Sequence, residues 1–178
     1  MDLAAALRGS AGDRAAAFSR LVDGSLDREF RLATVILGNR ADAEDAVGDA
    51  ALRAWQHVAQ LRDPARFEPW FTRIVVNVCR DRLHRRRPTT PLTLDPPAGT
   101  DAIADSIERA ALLDALRTLT ADHRAVIALH YLEGLTIEQI ADHLAMPIGT
   151  VKSRLHYGLA ELRAAYDAAA REPGRTLR

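Results

Sequence analysis

Apolar residues along this chain recur at three- and four-residue intervals, and no alternation long enough to make a strand interrupts them. The spacing predicts a first helix over about Asp13–Val22 and a second over Ser25–Leu37, separated by Asp23-Gly24 and ended by Gly38-Asn39, a C-terminal stop signal. Residues 42–59 read as a third helix, with Val47, Ala51, Ala54, Trp55 and Val58 on one face. After the loop Gln60-Leu-Arg-Asp-Pro-Ala-Arg66, a fourth helix is expected from Phe67 to about Arg86. Pro69 is tolerable in its first turn, and Phe71, Ile74, Val75 and Val78 form its core stripe.

The stretch Pro88 to Thr100 holds four of the eight prolines and no core-forming pattern, so it reads as a linker. Helices then resume near 103–118 and 121–132. Gly134 ends the second, and Thr136-Ile-Glu-Gln139 fits a capping box, a hydroxyl and an amide that satisfy each other's orphan backbone N–H groups. Ile137, Ile140, Ala141 and Leu144 make the inward face of a short helix, and Ala145-Met146-Pro147 makes a turn. A last helix opens near Ile148 and turns Ile148, Val151, Leu155, Leu159 and Leu162 inward. The expected fold is all-α: two small helical domains, about 1–87 and 103–170, joined by a Pro-rich linker over 88–102 and followed by a tail over 171–178. The C-terminal domain reads as a helix-turn-helix.

Composition narrows the function. A chain of 178 residues, 48% hydrophobic and 27% charged, suits globular folding. No apolar run reaches the roughly 20 residues that cross a bilayer, and the opening Met1–Asp13 is too short in apolar length for a signal peptide. A cytoplasmic location is expected. The single cysteine, Cys79, reads as a buried small hydrophobe, and the six histidines form no metal-like cluster. No Gly-rich phosphate loop, nucleophile elbow or metal motif appears, so neither enzymatic activity nor a cofactor is expected.

Net charge is zero, but the average hides a pattern. Residues 1–50 carry a net −3, residues 51–87 a net +6, and residues 88–121 a net −3. One strongly basic segment in a neutral protein suits a focused contact with a polyanion. Within it Arg80-Asp-Arg-Leu-His-Arg-Arg-Arg87 holds five arginines against one aspartate. Arginine's planar fork favours phosphate and guanine, although arginine bias from a GC-rich genome accounts for much of its use here. The outer face of the last helix carries Thr150, Lys152, Ser153, His156 and Tyr157, with Arg154 at its margin. These are donors able to read base edges or clamp phosphates.

Leu135-Thr-Ile-Glu-Gln-Ile-Ala141 and Met146-Pro-Ile-Gly-Thr-Val-Lys-Ser-Arg-Leu155, preceded by Leu116-Arg-Thr-Leu-Thr-Ala-Asp-His-Arg-Ala-Val126, closely resemble region 4 of the extracytoplasmic-function sigma factors, the smallest members of the sigma-70 family. Asp42-Ala-Glu-Asp45 with Leu52-Arg-Ala-Trp55, then Phe67-Glu-Pro-Trp-Phe-Thr-Arg-Ile74, Asn77 and Asp81-Arg-Leu83, resemble region 2. The resemblance implies a transcription initiation factor whose partners are core RNA polymerase, promoter DNA and an anti-sigma protein. It assigns −35 element contact, with a seat on the polymerase β flap, to the domain that carries Thr150, Lys152, Ser153, Arg154, His156 and Tyr157. It assigns docking on the β′ clamp to Asp45, Asp49, Arg53 and Trp55. Arg62, Asp63, Arg66, Phe67, Trp70, Arg73, Asn77 and Arg80 fall to −10 element melting, where aromatic faces and a basic groove trap a flipped base. For Phe67 and Trp70, core packing is the competing reading. Arg82, Arg85, Arg86 and Arg87 fall to phosphate contact upstream of the melted region. Tyr157 stands where family members usually carry arginine, and Gly48, Ala50 and Ala51 replace bulkier residues of the docking helix. A stand-alone helix-turn-helix regulator is the alternative, and it leaves the Asp42–Trp55 helix without a role.

Overall fold

The computed structural model describes residues 3–85 and 103–171, with side chains described outside 103–110 and 170. Every regular element among them is helical: α1 (Leu3–Arg8), α2 (Ala11–Asp23), α3 (Leu26–Leu37), α4 (Arg40–His57), α5 (Phe67–Arg85), α6 (Ile103–Thr118), α7 (Ala121–Tyr131), α8 (Ile137–Leu144) and α9 (Ile148–Arg171). Short 3₁₀ turns over Val58–Gln60 and Pro64–Arg66 bridge α4 to α5. The expected linker over 88–102 and the expected tail, apart from Arg171 at the end of α9, lie outside the described residues.

Local chemistry sets the helix boundaries. The side chains of Ser10, Asn39 and Thr120 accept from the backbone N–H groups of Asp13, Asp42 and His123, each capping a helix start. Thr136 and Gln139 complete the anticipated capping box on α8. Gly38 takes φ 81° and ends α3 in the left-handed conformation that lacks a Cβ penalty. The turn between α8 and α9 uses the same conformation at Ala145, φ 50°, and so places a Cβ where glycine would be unstrained. Helix α1 was not expected from the pattern: six residues closed by Gly9-Ser10 are too few to show a period, yet Ala6 and Leu7 pack with Ala17 and Val58.

Helices α3, α4 and α5 form the N-terminal core around Leu32, Ile36, Ala46, Ala50, Phe71 and Val75, while α6 to α9 pack around Val126, Leu129, Ile140 and Val151. Small residues Ala43, Ala46, Ala50 and Ala54 let α4 approach α3 and α5 closely. Gly158 does the same for α9: a Cβ there would meet the His123 side chain at 3.0 Å and Ile127 at 3.1 Å. The two sequence segments are not separate in space. Helix α7 packs on α3, α8 packs on α5, and one continuous cluster of buried residues runs through both. Ile148, expected to face inward, is instead 44% exposed at the start of α9.

A carboxylate is caught in this junction. Glu29 on α3 is fully buried, accepts from the Thr72 hydroxyl at 2.6 Å and pairs with Arg28 at 3.0 Å. Its second oxygen has no hydrogen-bond partner among the described residues. Burial pushes its pKa above the ordinary value of 4.5, against the opposing pull of Thr72 and Arg28. His143 on α8 is pushed the other way, below 6.5, by burial and then by the nearby Arg28 charge. Cys79 is an inert core thiol, raised to about 12 by burial.

Candidate nucleic-acid and polymerase interfaces

Helix α5 carries most of the residues singled out near the basic segment. Its exposed side meets the end of α4 and the following loop in a groove of about 450 Å³, lined by Arg53, His57, Gln60, Leu61, Arg62, Trp70, Ile74 and Asn77. One aromatic wall, an exposed amide and two guanidinium groups suit an unpaired base with its phosphate. Of the expected melting residues, Arg62, Trp70 and Asn77 come together here. His57, Gln60 and Leu61 also line the groove without having been singled out. His57 follows Arg53 by one helical turn, a spacing that could have revealed its shared face, and its Nδ1 lies 2.9 Å from the Arg53 carbonyl.

The other expected melting residues are placed differently. Phe67 is 1% exposed, stacked on Phe71 and edge-on to Phe18, so core packing claims it. It cannot offer a face to a base, and its assignment to strand opening is corrected. Trp70 packs against Phe67 and stays half-exposed. Asp63 caps the Pro64–Arg66 turn by accepting from the Ala65 N–H at 3.0 Å, a structural task. Arg73, Asn77 and Arg80 line a cleft of about 10 Å³ closed from the far side by Asp122, Leu144, Met146 and Arg154.

Ion pairs occupy much of the basic charge. Arg80 Nε donates to Asp122 at 2.9 Å and Arg66 to Asp142 at 2.6 Å, both across the junction between the two segments. Arg82 reaches Asp49 and, at 3.7 Å, Asp45, while Arg53 pairs with Asp81 at 3.2 Å. Three of the residues expected to dock on polymerase, Asp45, Asp49 and Arg53, thus join an arginine expected to grip phosphate in a ladder between α4 and α5. Trp55 lies edge-on to Phe18 with Arg14 over its ring at 5.5 Å, tying α2 to α4. Its half-buried indole serves packing as much as any partner. On the same helix Leu52 is 58% exposed, the apolar residue most available for docking. Arg85 is exposed at the end of α5, whereas Arg86 and Arg87 lie outside the described residues.

On α9, Lys152, Ser153, His156 and Tyr157 project into solvent, and Thr150 is half-buried beside them. The His156 and Tyr157 rings stand edge-on at 5.3 Å, an exposed aromatic pair. Arg154 turns aside to Asp122 at 2.6 Å and to the Met146 sulfur. Capped α8, the strained turn at Ala145 and α9 present this face in helix-turn-helix geometry.

Two family models match: Sigma-70 region 2 over residues 21–89 and Sigma-70 region 4 over residues 115–164. The chain is 36% identical over 166 residues to "ECF RNA polymerase sigma factor SigL" of Mycobacterium tuberculosis, a match spanning 89% of this chain and 94% of the relative. It is 29% identical over 164 residues to "ECF RNA polymerase sigma factor SigW" of Bacillus subtilis, spanning 83% and 87% of the two chains. Among solved structures, CnrH in complex with the cytosolic domain of CnrY superposes with a TM-score of 0.67 at 28% identity, over 93% of this chain and 96% of that one. RpoE of Bartonella quintana, in complex with the anti-sigma factor NepR, gives the same score at 22% identity over 84% and 96%, a likeness of fold. The chain belongs to the sigma-70 family, in its extracytoplasmic-function group, and is therefore an RNA polymerase sigma factor acting in transcription initiation. Among the described residues no helix is long and apolar enough to cross a membrane.

Proposed function

We propose that the two segments divide promoter recognition between them once seated on core polymerase. Residues 103–170 act as the duplex-reading domain and residues 1–87 as the strand-opening domain. Lys152, Ser153, His156 and Tyr157 face the −35 major groove, with Thr150 at the helix start. Trp70 stacks on a base displaced from the non-template strand while Asn77 and Arg62 hydrogen-bond its edge and phosphate. Extruding a base costs a few kcal/mol, which stacking of about 1–3 kcal/mol and the charged contacts offset.

The single observation that carries this reading is the groove beneath Trp70 and Asn77, open to solvent and rimmed by Arg53 and Arg62. Docking on the β′ clamp falls to α4, through Leu52, Asp45 and Asp49, and docking on the β flap falls to the C-terminal segment. The chemistry of RNA synthesis belongs to polymerase, so the chain itself acts as a binding and positioning protein, in the cytoplasm where polymerase works. An anti-sigma protein is the expected negative regulator, as the RpoE structure of similar fold holds the anti-sigma factor NepR.

Run-off transcription with core polymerase over a randomised promoter library tests the reading. Initiation that depends on this chain supports it. Tight duplex binding by the chain alone, with no complex formed with core enzyme, would establish a stand-alone regulator instead.

A further inference from the structure

Lys152 is the only lysine among the 24 lysine and arginine residues, so its ε-amine is the one side-chain primary amine in the chain. The fold puts that amine on the exposed face of α9. Its polar neighbours there are otherwise engaged. The Ser153 hydroxyl donates to the Thr150 carbonyl at 3.0 Å, and Arg154 turns to Asp122 at 2.6 Å and to the Met146 sulfur. The first turn of α9 carries no acidic residue, and the first carboxylate along the helix is Glu161. Over roughly the first three turns of α9, Lys152 is thus the one full positive charge without a carboxylate partner among the described residues.

Lysine differs from arginine in chemistry as well as shape. A guanidinium stays protonated, whereas an amine that sheds its proton attacks activated carbonyl groups. His156 follows Lys152 by four residues, one helical turn along the same exposed face, where helix side chains are neighbours. Imidazole is the side chain best suited to take up a proton near neutral pH.

We propose that Lys152 is an acylation site, modified by an activated acetyl donor (an acyl phosphate or an acyl thioester), with His156 receiving the proton that its ammonium group must shed. The proposal rests on the −35 role given to this face above. In the step, the amine nitrogen bonds to the donor's carbonyl carbon. The carbon–oxygen bond to phosphate, or the carbon–sulfur bond to the thiol, breaks, and the leaving group takes that electron pair. The second proton lost by nitrogen goes to the leaving group, and nothing is oxidised or reduced. The product is a neutral amide, so one acetyl group removes the unpaired cation from the start of the reading helix. Lysine therefore gives the −35 face a chemical off position that arginine at 152 would lack.

The test incubates the full-length chain with acetyl phosphate in one arm and acetyl-CoA in another, removes the donor, and adds untreated core polymerase. Peptide mass spectrometry is expected to find acetyl on Lys152, and the arm that reacts identifies the donor. Holoenzyme with the modified chain should bind a promoter recovered from the run-off library about tenfold more weakly, the size of one lost charged contact. His156→Gln should slow the acetylation severalfold. Treated and untreated Lys152→Arg should share one promoter affinity, whatever its value. Absence of acetyl from Lys152 in both arms overturns the proposal, and so does full modification with unchanged binding. An equal rate in His156→Gln, or an equal loss of binding by treated Lys152→Arg, overturns it too. Untreated parent holoenzyme is the separate control: if it fails to bind through the −35 element, the proposed function falls, whereas intact binding with an unreactive Lys152 removes this inference alone.

Discussion

The two DNA-directed faces differ in how their charge is spent. The segment over 51–87 carries the larger basic excess, yet Arg53, Arg66, Arg80 and Arg82 all end on carboxylates. The α9 face has far less charge, but Lys152, His156 and Tyr157 stand open to solvent. Charge counted along a sequence therefore measures what a surface could offer after rearrangement. Charge left unpaired in the fold measures what it offers at once. On the N-terminal face the groove at Trp70, Asn77 and Arg62 stands open while much of the charge around it is paired, and on α9 the polar face is exposed directly.

The largest effects are expected at two aromatics in contact, Phe67 and Trp70. Phe67→Ala removes a fully buried ring and is expected to cost about 3–5 kcal/mol of folding stability, read by urea denaturation. Trp70→Ala, one helical turn along, should retain most stability but lose promoter opening by at least about tenfold, read by permanganate reactivity of unpaired thymines in the holoenzyme. Loss of opening without loss of stability for Phe67→Ala would reverse their assigned roles. On the open face, Lys152→Ala is expected to lower holoenzyme affinity for a cognate promoter by about 1–2 kcal/mol, measured by filter binding at fixed salt. An equal effect on promoters lacking a −35 element would show a contact without sequence preference.

Smaller effects sharpen the contrast between the covered and open faces. Gly48 is exposed on α4 with nothing within 4 Å of where a Cβ would stand, so Gly48→Ala should raise stability by about 1 kcal/mol in thermal unfolding. The same substitution tests whether a floppier docking helix weakens polymerase binding. The junction should also respond to pH. Because the folded pKa of Glu29 lies above 4.5, its ionisation is harder in the fold, and its contribution to stability falls as pH rises from about 4.5 through the raised value. For His143 the folded pKa lies below 6.5, so stability falls as pH drops from about 6.5 through the lowered value. Glu29→Gln should remove the first slope and His143→Gln the second, as seen in denaturation midpoints across pH. Variants that leave the slopes unchanged would place the titrating groups elsewhere.

Much of this was legible in the residues. The stop at Gly38, the capping box at Thr136 and the inward faces of α4, α5 and α8 follow from periodicity and cap chemistry, and the all-α expectation holds. The family follows from short phrases such as Gly149 to Leu155. What stayed hidden was tertiary. Helix α1 is too short to carry a period. Asp122 and Asp142 read as ordinary surface carboxylates until the fold brings them to arginines 42 and 76 positions away in sequence, from Arg80 and Arg66 respectively. A ring at position 67 or 70 suits either core or ligand equally well by type, and only the neighbouring Phe18 and Phe71 decide that Phe67 belongs to the core.

Helix α9 runs for 24 residues, about 36 Å at 1.5 Å per residue, and packs along both α7 and α6. If its far end pivots by about 10°, the reading end swings by roughly 6 Å, close to two base-pair steps of about 3.4 Å. On the proposed reading, a shift of that size where α6 meets α9 would move Lys152 and its neighbours along the duplex.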